Sequence, residues 1–171
     1  RVKSKLACPS ANGISPKNRF SPAETANKSV FSKETAQAHV CLGVPSVSFK
    51  DRRRYATLLL NTVLGGGMSS RLFQKVREER ALAYTIHSFH DFYEDTGVLG
   101  IYLGTSAEQA AAAVNLVLDE LAKIKSEKLP RSQFESAKEQ MKGSLVLGLE
   151  SASSRMNRLA RNEMFLGEYI S

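Results

Sequence analysis

The stretch Gly65–Tyr84, GGGMSSRLFQKVREERALAY, decides how the rest of the chain is read. A glycine run opens it. A short charged helix follows, capped at Ser69 or Ser70 and reaching about Arg80, and a strand from Leu82 carries Tyr84. Arg77, Glu78, Glu79, Arg80 and Tyr84 crowd the turn between the two. A permanent cation and a phenol on two elements joined by a tight turn can converge on one point. By residue type alone, exposed Arg and half-buried Tyr are common, so the pair also reads as ordinary surface. The glycines could cradle an anion at a helix N-terminus. A phosphate loop, however, needs Lys and Ser or Thr after the last glycine, and Met68 follows Gly67. A flexible link between two helices is the expected role.

Upstream, Asp51–Leu64 reads as a helix, with Tyr55, Leu58, Leu59, Thr62 and Val63 at helical spacing. Before it, Ala36–Val44 alternates. Ala38, Val40, Leu42 and Val44 share one face, Gln37, His39 and Cys41 the other, and Pro45 is expected to end the strand. Lys28–Lys33 fits a short strand. Residues 1–27 are rich in Ser, Pro, Asn, Ala and Lys, and are expected to be a linker or tail.

Downstream, Leu82–Phe92 and Val98–Gly104 form an expected β-hairpin about a turn at Tyr93–Gly97. Thr105 to Glu108 has the spacing of a capping box. The helix it would start carries Ala110, Ala113, Val114, Val117, Leu118, Leu121 and Ile124 on one stripe. Pro130 opens a further helix with Phe134, Ala137, Met141, Leu145 and Leu149 on one face, kinked near Gly148 or Ser151–Ser154. A last helix holds Met156, Leu159, Ala160 and Phe165, with Gly167 as its stop. The fold class is α+β: a two-layer sandwich, its sheet mostly antiparallel, with helices packed on one face.

Composition bounds the function. A chain of 171 residues, 42% hydrophobic, makes one domain or slightly more, with a real core. The net charge of +7 suggests nucleic acid until it is mapped: residues 1–54 carry +8 and residues 55–171 carry −1. No basic face runs along the helices and no aromatics interleave with the charge, so a basic linker is the reading and nucleic acid is not an expected partner. No apolar run is long enough to span a membrane. With only Cys8 and Cys41 present, a cytoplasmic location is expected. His87 and His90 stand three apart in a strand and point to opposite faces, so they do not share a metal. His39 stands alone, and all three read as ordinary strand residues. Asp91, Glu94 and Asp95 read as a solvated turn.

Three blocks carry a family resemblance: AQAHVCLGVP, LLLNTVLGGGMSSRLFQKVREERALAY and SAKEQMKGSLVLGLESASSRMNRLARNEMFLG. From about Gln37 to Gly167 the chain resembles the second domain of the pitrilysin-type zinc metallopeptidases. These inverted zincins include the mitochondrial processing peptidase and its bacterial homologues. The resemblance implies an α+β domain, residues 28–171, cut short at both ends and lacking its last strand. In the family, zinc is bound through His-x-x-Glu-His in the first half, and that motif is absent from this sequence. The resemblance therefore implies zinc in a full-length enzyme, not bound by this chain, supplied by an N-terminal catalytic half or a partner subunit. It implies a peptide substrate, self-association of the piece on its own, and no activity of the piece alone. Arg77 and Tyr84 match, in motif and spacing, an Arg and a Tyr of active members that reach the substrate. Some relatives keep the fold without peptidase activity, so a non-catalytic peptide-binding or assembly subunit is the alternative.

Overall fold

The computed structural model describes residues 35–168; the expected tail at 1–27 and the strand at Lys28–Lys33 lie outside them. Three strands form one antiparallel sheet: β1 (Ala38–Ser46), β2 (Thr85–Phe92) and β3 (Gly97–Thr105), in the order β1-β3-β2. Phe92 pairs with Gly97 across the hairpin turn, and Ala38 pairs with Thr105 at the opposite end of the sheet. The alternation read in β1 holds from Ala38 to Leu42, whereas Val44 is exposed, and the strand runs through Pro45, which faces Val98. Proline is admitted there because β1 lies at the sheet's edge among the described residues.

The helices are α1 (Arg54–Gly65), α2 (Ala110–Ser126), α3 (Arg131–Glu150) and α4 (Ala152–Leu166). A six-residue π-helix, Phe73–Glu78, stands between α1 and β2. Among the described residues no helix is long and apolar enough to cross a membrane. One core binds sheet to helices: Ile86, Ile101 and Leu103 from the strands meet Leu64, Leu72, Val76, Ala113 and Val117. Leu64, Leu72, Val76, Leu103 and Val117 are fully buried. Each contributes about 1.5–3 kcal/mol relative to exposure, so this one face carries the fold. Helix α3 packs on α1 and α4 packs on α3, and the Arg161 guanidinium of α4 donates to the Phe92 carbonyl of β2.

Several boundaries differ from the sequence reading, each for a local reason. Helix α1 starts at Arg54, because the Asp51 carboxylate accepts from the Arg53 backbone N–H at 2.8 Å and holds 51–53 in a turn. The Arg53 side chain also bonds that carboxylate and holds its pKa below the usual range. The capping box does not form. Thr105 ends β3, and its hydroxyl donates to the Leu82 carbonyl at 2.6 Å, while α2 begins at Ala110. On α2, Leu118 is exposed and Glu120 is buried, with its carboxylate 2.7 Å from the Lys123 ammonium. Leu145, read as facing the core, is exposed on α3. The break between α3 and α4 falls at Ser151, whose hydroxyl accepts from the Ser154 N–H. Gly167 ends α4 with a positive φ of 69°.

The glycine run is a close-contact site and not a loose link. Gly65 is buried in the last turn of α1, where an added Cβ would stand 2.3 Å from the Ser88 backbone nitrogen of β2. The Ser88 hydroxyl donates to the Asn61 carbonyl at 3.0 Å, so helix end and strand are joined at the same level. Gly143, on α3, has nothing near its missing Cβ. Gly65→Ala is therefore expected to cost about 3 kcal/mol, since backbone must move. Gly143→Ala is expected to add about 0.5–1 kcal/mol by helix propensity. Urea unfolding of the two variants checks the opposite signs.

Candidate functional site

The segment after the glycines builds the site. Ser70 is buried and its hydroxyl donates to the Gly67 carbonyl, fixing the entry to the next helix. Leu72 and Val76 then point into the core. Between them the backbone widens: the Glu79 N–H donates to the Gln74 carbonyl, five residues back, at 2.8 Å. Such π-turns are rare and occur frequently at functional sites. The spacing of Leu72 and Val76 is the same as in an α-helix, so the sequence carried no sign of the widening. The expected helix to Arg80 therefore ends at Glu78, and the strand expected from Leu82 begins at Thr85.

Two nested bonds close the π-helix. The Ala81 N–H donates to the Arg77 carbonyl at 3.1 Å, and the Leu82 N–H to the Val76 carbonyl at 2.9 Å. Ala81 takes a left-handed conformation, φ 49°, where glycine is the usual residue. The chain is then tied to the end of β3. The Thr105 hydroxyl holds the Leu82 carbonyl, and the Tyr84 N–H donates to the Gly104 carbonyl at 2.9 Å.

This framework fixes the backbones of Arg77 and Tyr84 and leaves both head groups in water. Tyr84 is 60% exposed, and its hydroxyl makes no hydrogen bond among the described residues. The Arg77 guanidinium lies over the Phe73 ring, 4.7 Å from its centroid, and 3.9 Å from a Glu78 carboxylate oxygen. Neither an ion pair nor a hydrogen bond joins Arg77 to Tyr84. The structure thus puts both on one short helix–turn–strand unit, with donors free to meet a third body. Among the described residues no group of three or more His, Cys, Asp or Glu stands close enough to hold a metal ion. The described residues do not fit a zinc site.

The histidines separate as the strand period requires. His87 faces outward on β2 and His90 faces the core side. The buried Nδ1 of His90 has no hydrogen-bond partner among the described residues. Burial, opposed by nearby Asp91 and reinforced by the Arg161 cation, pushes the imidazole below its ordinary value of 6.5. On the outward side, one ring cluster escaped the sequence reading: His39, Tyr102, His87 and Phe89, from three strands. Cross-strand register would have revealed it, but register is not written in the local pattern. Asp91 is exposed, and Glu94 pairs with Lys50 at 3.1 Å, as suits a solvated turn.

The sequence family described as "Peptidase M16 inactive domain" fits residues 3–141. The chain belongs to this family. It is 48% identical, over 80% of its length, to YmxG of Bacillus subtilis, named an uncharacterized zinc protease. It is 39% identical, over 97% of its length, to an uncharacterized zinc protease of Streptomyces coelicolor. It covers 34% and 36% of those two proteins, so the chain spans about a third of the relatives it matches. The peptidase M16 inactive domain from Pseudomonas fluorescens superposes with a TM-score of 0.62 at 29% identity, over 66% of this chain and 27% of that one. A chain of Complex III2 from Candida albicans shares the fold, with a TM-score of 0.72 at 16% identity over 82% of this chain and 36% of that one. The M16 assignment bears out the family resemblance and the α+β fold.

Two outcomes follow from this geometry. Ala81→Gly is expected to stabilise the M16 domain by about 0.5–1 kcal/mol, because the left-handed strain exceeds the entropy glycine adds to the unfolded chain. An alanine-to-glycine change in a helix interior has the opposite sign, and thermal unfolding tells them apart. His90 gives a pH dependence. The unfolded chain takes up a proton near pH 6.5 and the folded chain only at lower pH. Stability is therefore full above that pH and falls as pH drops below it. Urea midpoints at pH 7.5 and 5.5 should differ less in His90→Gln than in the wild type.

Proposed function

We propose that this chain is the substrate-closing domain of a zinc endopeptidase of the processing-peptidase type that cleaves extended peptides. Zinc and the general base come from the part of the parent protein outside this chain, or from a partner subunit. The chain alone is inactive. The observation that carries the reading is the π-helix and left-handed turn that hold Arg77 and Tyr84 by their backbones and leave both side chains solvated.

The chemistry follows from the donors. Peptide hydrolysis puts negative charge on the former carbonyl oxygen. A preorganised donor aimed at that oxygen strengthens as the charge grows, so it lowers the barrier beyond its effect on binding. The Tyr84 phenol supplies such a donor. Arg77 supplies a fixed fork of N–H groups and a permanent charge, suited to peptide carbonyls or to steadying the phenol. The name that the relatives carry, zinc protease, supports this class of reaction. The likeness in fold to a Complex III2 chain supports the second reading, a non-catalytic peptide-binding or assembly subunit. Leu145, Val146, Leu147, Met156 and Met164, exposed on α3 and α4, favour docking on the rest of the parent, and self-association of the piece alone. A cytoplasmic location remains part of the proposal.

In the full-length protein, Tyr84→Phe is expected to lower turnover by roughly 10²–10³ with the melting temperature unchanged. Arg77→Ala is expected to reduce both turnover and affinity. Turnover and melting are measured on one preparation. Wild-type turnover in Tyr84→Phe overturns the catalytic role, and a parent without His-x-x-Glu-His on either subunit favours the second reading.

A further inference from the structure

The outer face of the sheet is covered by no helix of the described residues, and its side chains are not those of a simple solvated surface. Cys41, Tyr102 and His87 form one row across the three strands, because Tyr102 pairs with both of the others. His39, in the next row, faces Gly104. Its Nδ1 lies 2.7 Å from the Tyr102 hydroxyl, and the two rings stack with centroids 6.0 Å apart. The His87 ring stands on the other side of Tyr102 at 5.2 Å. Phe89 lies over Gly100, where an added Cβ would fall 2.2 Å from the ring. A phenol is thus flanked by two imidazoles, both exposed, with one imidazole oriented by the phenol and its second nitrogen left open.

The electrostatics of this patch are one-sided. The carboxylate on the outer face, Asp91, lies two rows from His87, beyond the row of Gly43, Gly100 and Phe89. Groups facing the rings are Cys41 and Thr85, neither of them acidic. Imidazoles donate hydrogen bonds in either protonation state. The patch also adjoins the site above: the Tyr84 N–H bonds the carbonyl of Gly104, the residue that lies beneath the His39 ring.

We infer that His39, Tyr102 and His87 form a carboxylate-recognition site that takes an acidic side chain of the extended peptide bound at Tyr84. The inference rests on the proposed peptide site and adds its specificity. The arrangement offers two donors on one side of a sheet and no competing acid beside them.

The test uses the full-length parent at pH 6 and a set of fluorescein-labelled peptides in which one Glu is walked along an otherwise neutral sequence, each paired with its Gln counterpart. Anisotropy gives affinity, and cleavage is followed in the same samples. At one or two positions Glu should bind about fivefold more tightly than Gln, the size of a partly exposed charge-assisted contact. The preference should shrink at high salt. In the double variant His39→Gln, His87→Gln the preference for Glu over Gln should vanish while the melting temperature holds. Equal affinity for Glu and Gln at every position overturns the inference, and so does a preference that survives in the double variant. A preference that is present and lost in the variant, in a parent that cleaves nothing, supports the recognition site and overturns the peptidase reading instead.

Discussion

The approach of α1 to β2 at Gly65 sets the geometry of everything that follows it in the chain. A helix end can lie against a strand's backbone only where no Cβ intervenes, and Ser88 stands where that Cβ would be. With the helix end fixed there, the chain has only a few residues in which to reverse and deliver Leu72 and Val76 to the core. The π-turn and the left-handed Ala81 are local distortions that accomplish this within a fixed length. Their cost, about 1–3 kcal/mol for such backbone strain, is small beside the burial of five fully enclosed aliphatic side chains.

Much of the fold was legible because periodicity reports burial. The alternation of β1, the hairpin and the apolar stripe of α2 all follow from one face meeting the core. What was not legible depended on partners distant in sequence. Thr105 looked like a helix cap, but Leu82 offered its carbonyl first. Leu118 and Leu145 fit their stripes, yet the described neighbours do not reach them. Pro45 looked like a strand end because local rules do not know which strand is at the edge. Arg77 and Tyr84 were visible as a pair from motif and spacing. The hydrogen bonds that position them were not, since they involve Gly104, Thr105 and a backbone widening with no residue signature.

The division of labour within this M16 domain is clear in its polar groups. Buried ones join elements, as with Ser88 on Asn61 and Thr105 on Leu82. Tyr84 and His39 stand with open polar groups at the same end of the sheet, joined through Gly104. A rigid frame with solvated donors at one margin is what a site completed by another body requires.

Pro45 has a consequence for assembly. A flat strand edge with every N–H available is a template on which other chains can stack without limit. Near its end β1 offers one donor fewer, because proline has none. Among the described residues β1 lies at the edge of the sheet, so strand addition along that margin meets an interruption at the same imino acid that misled the strand boundary.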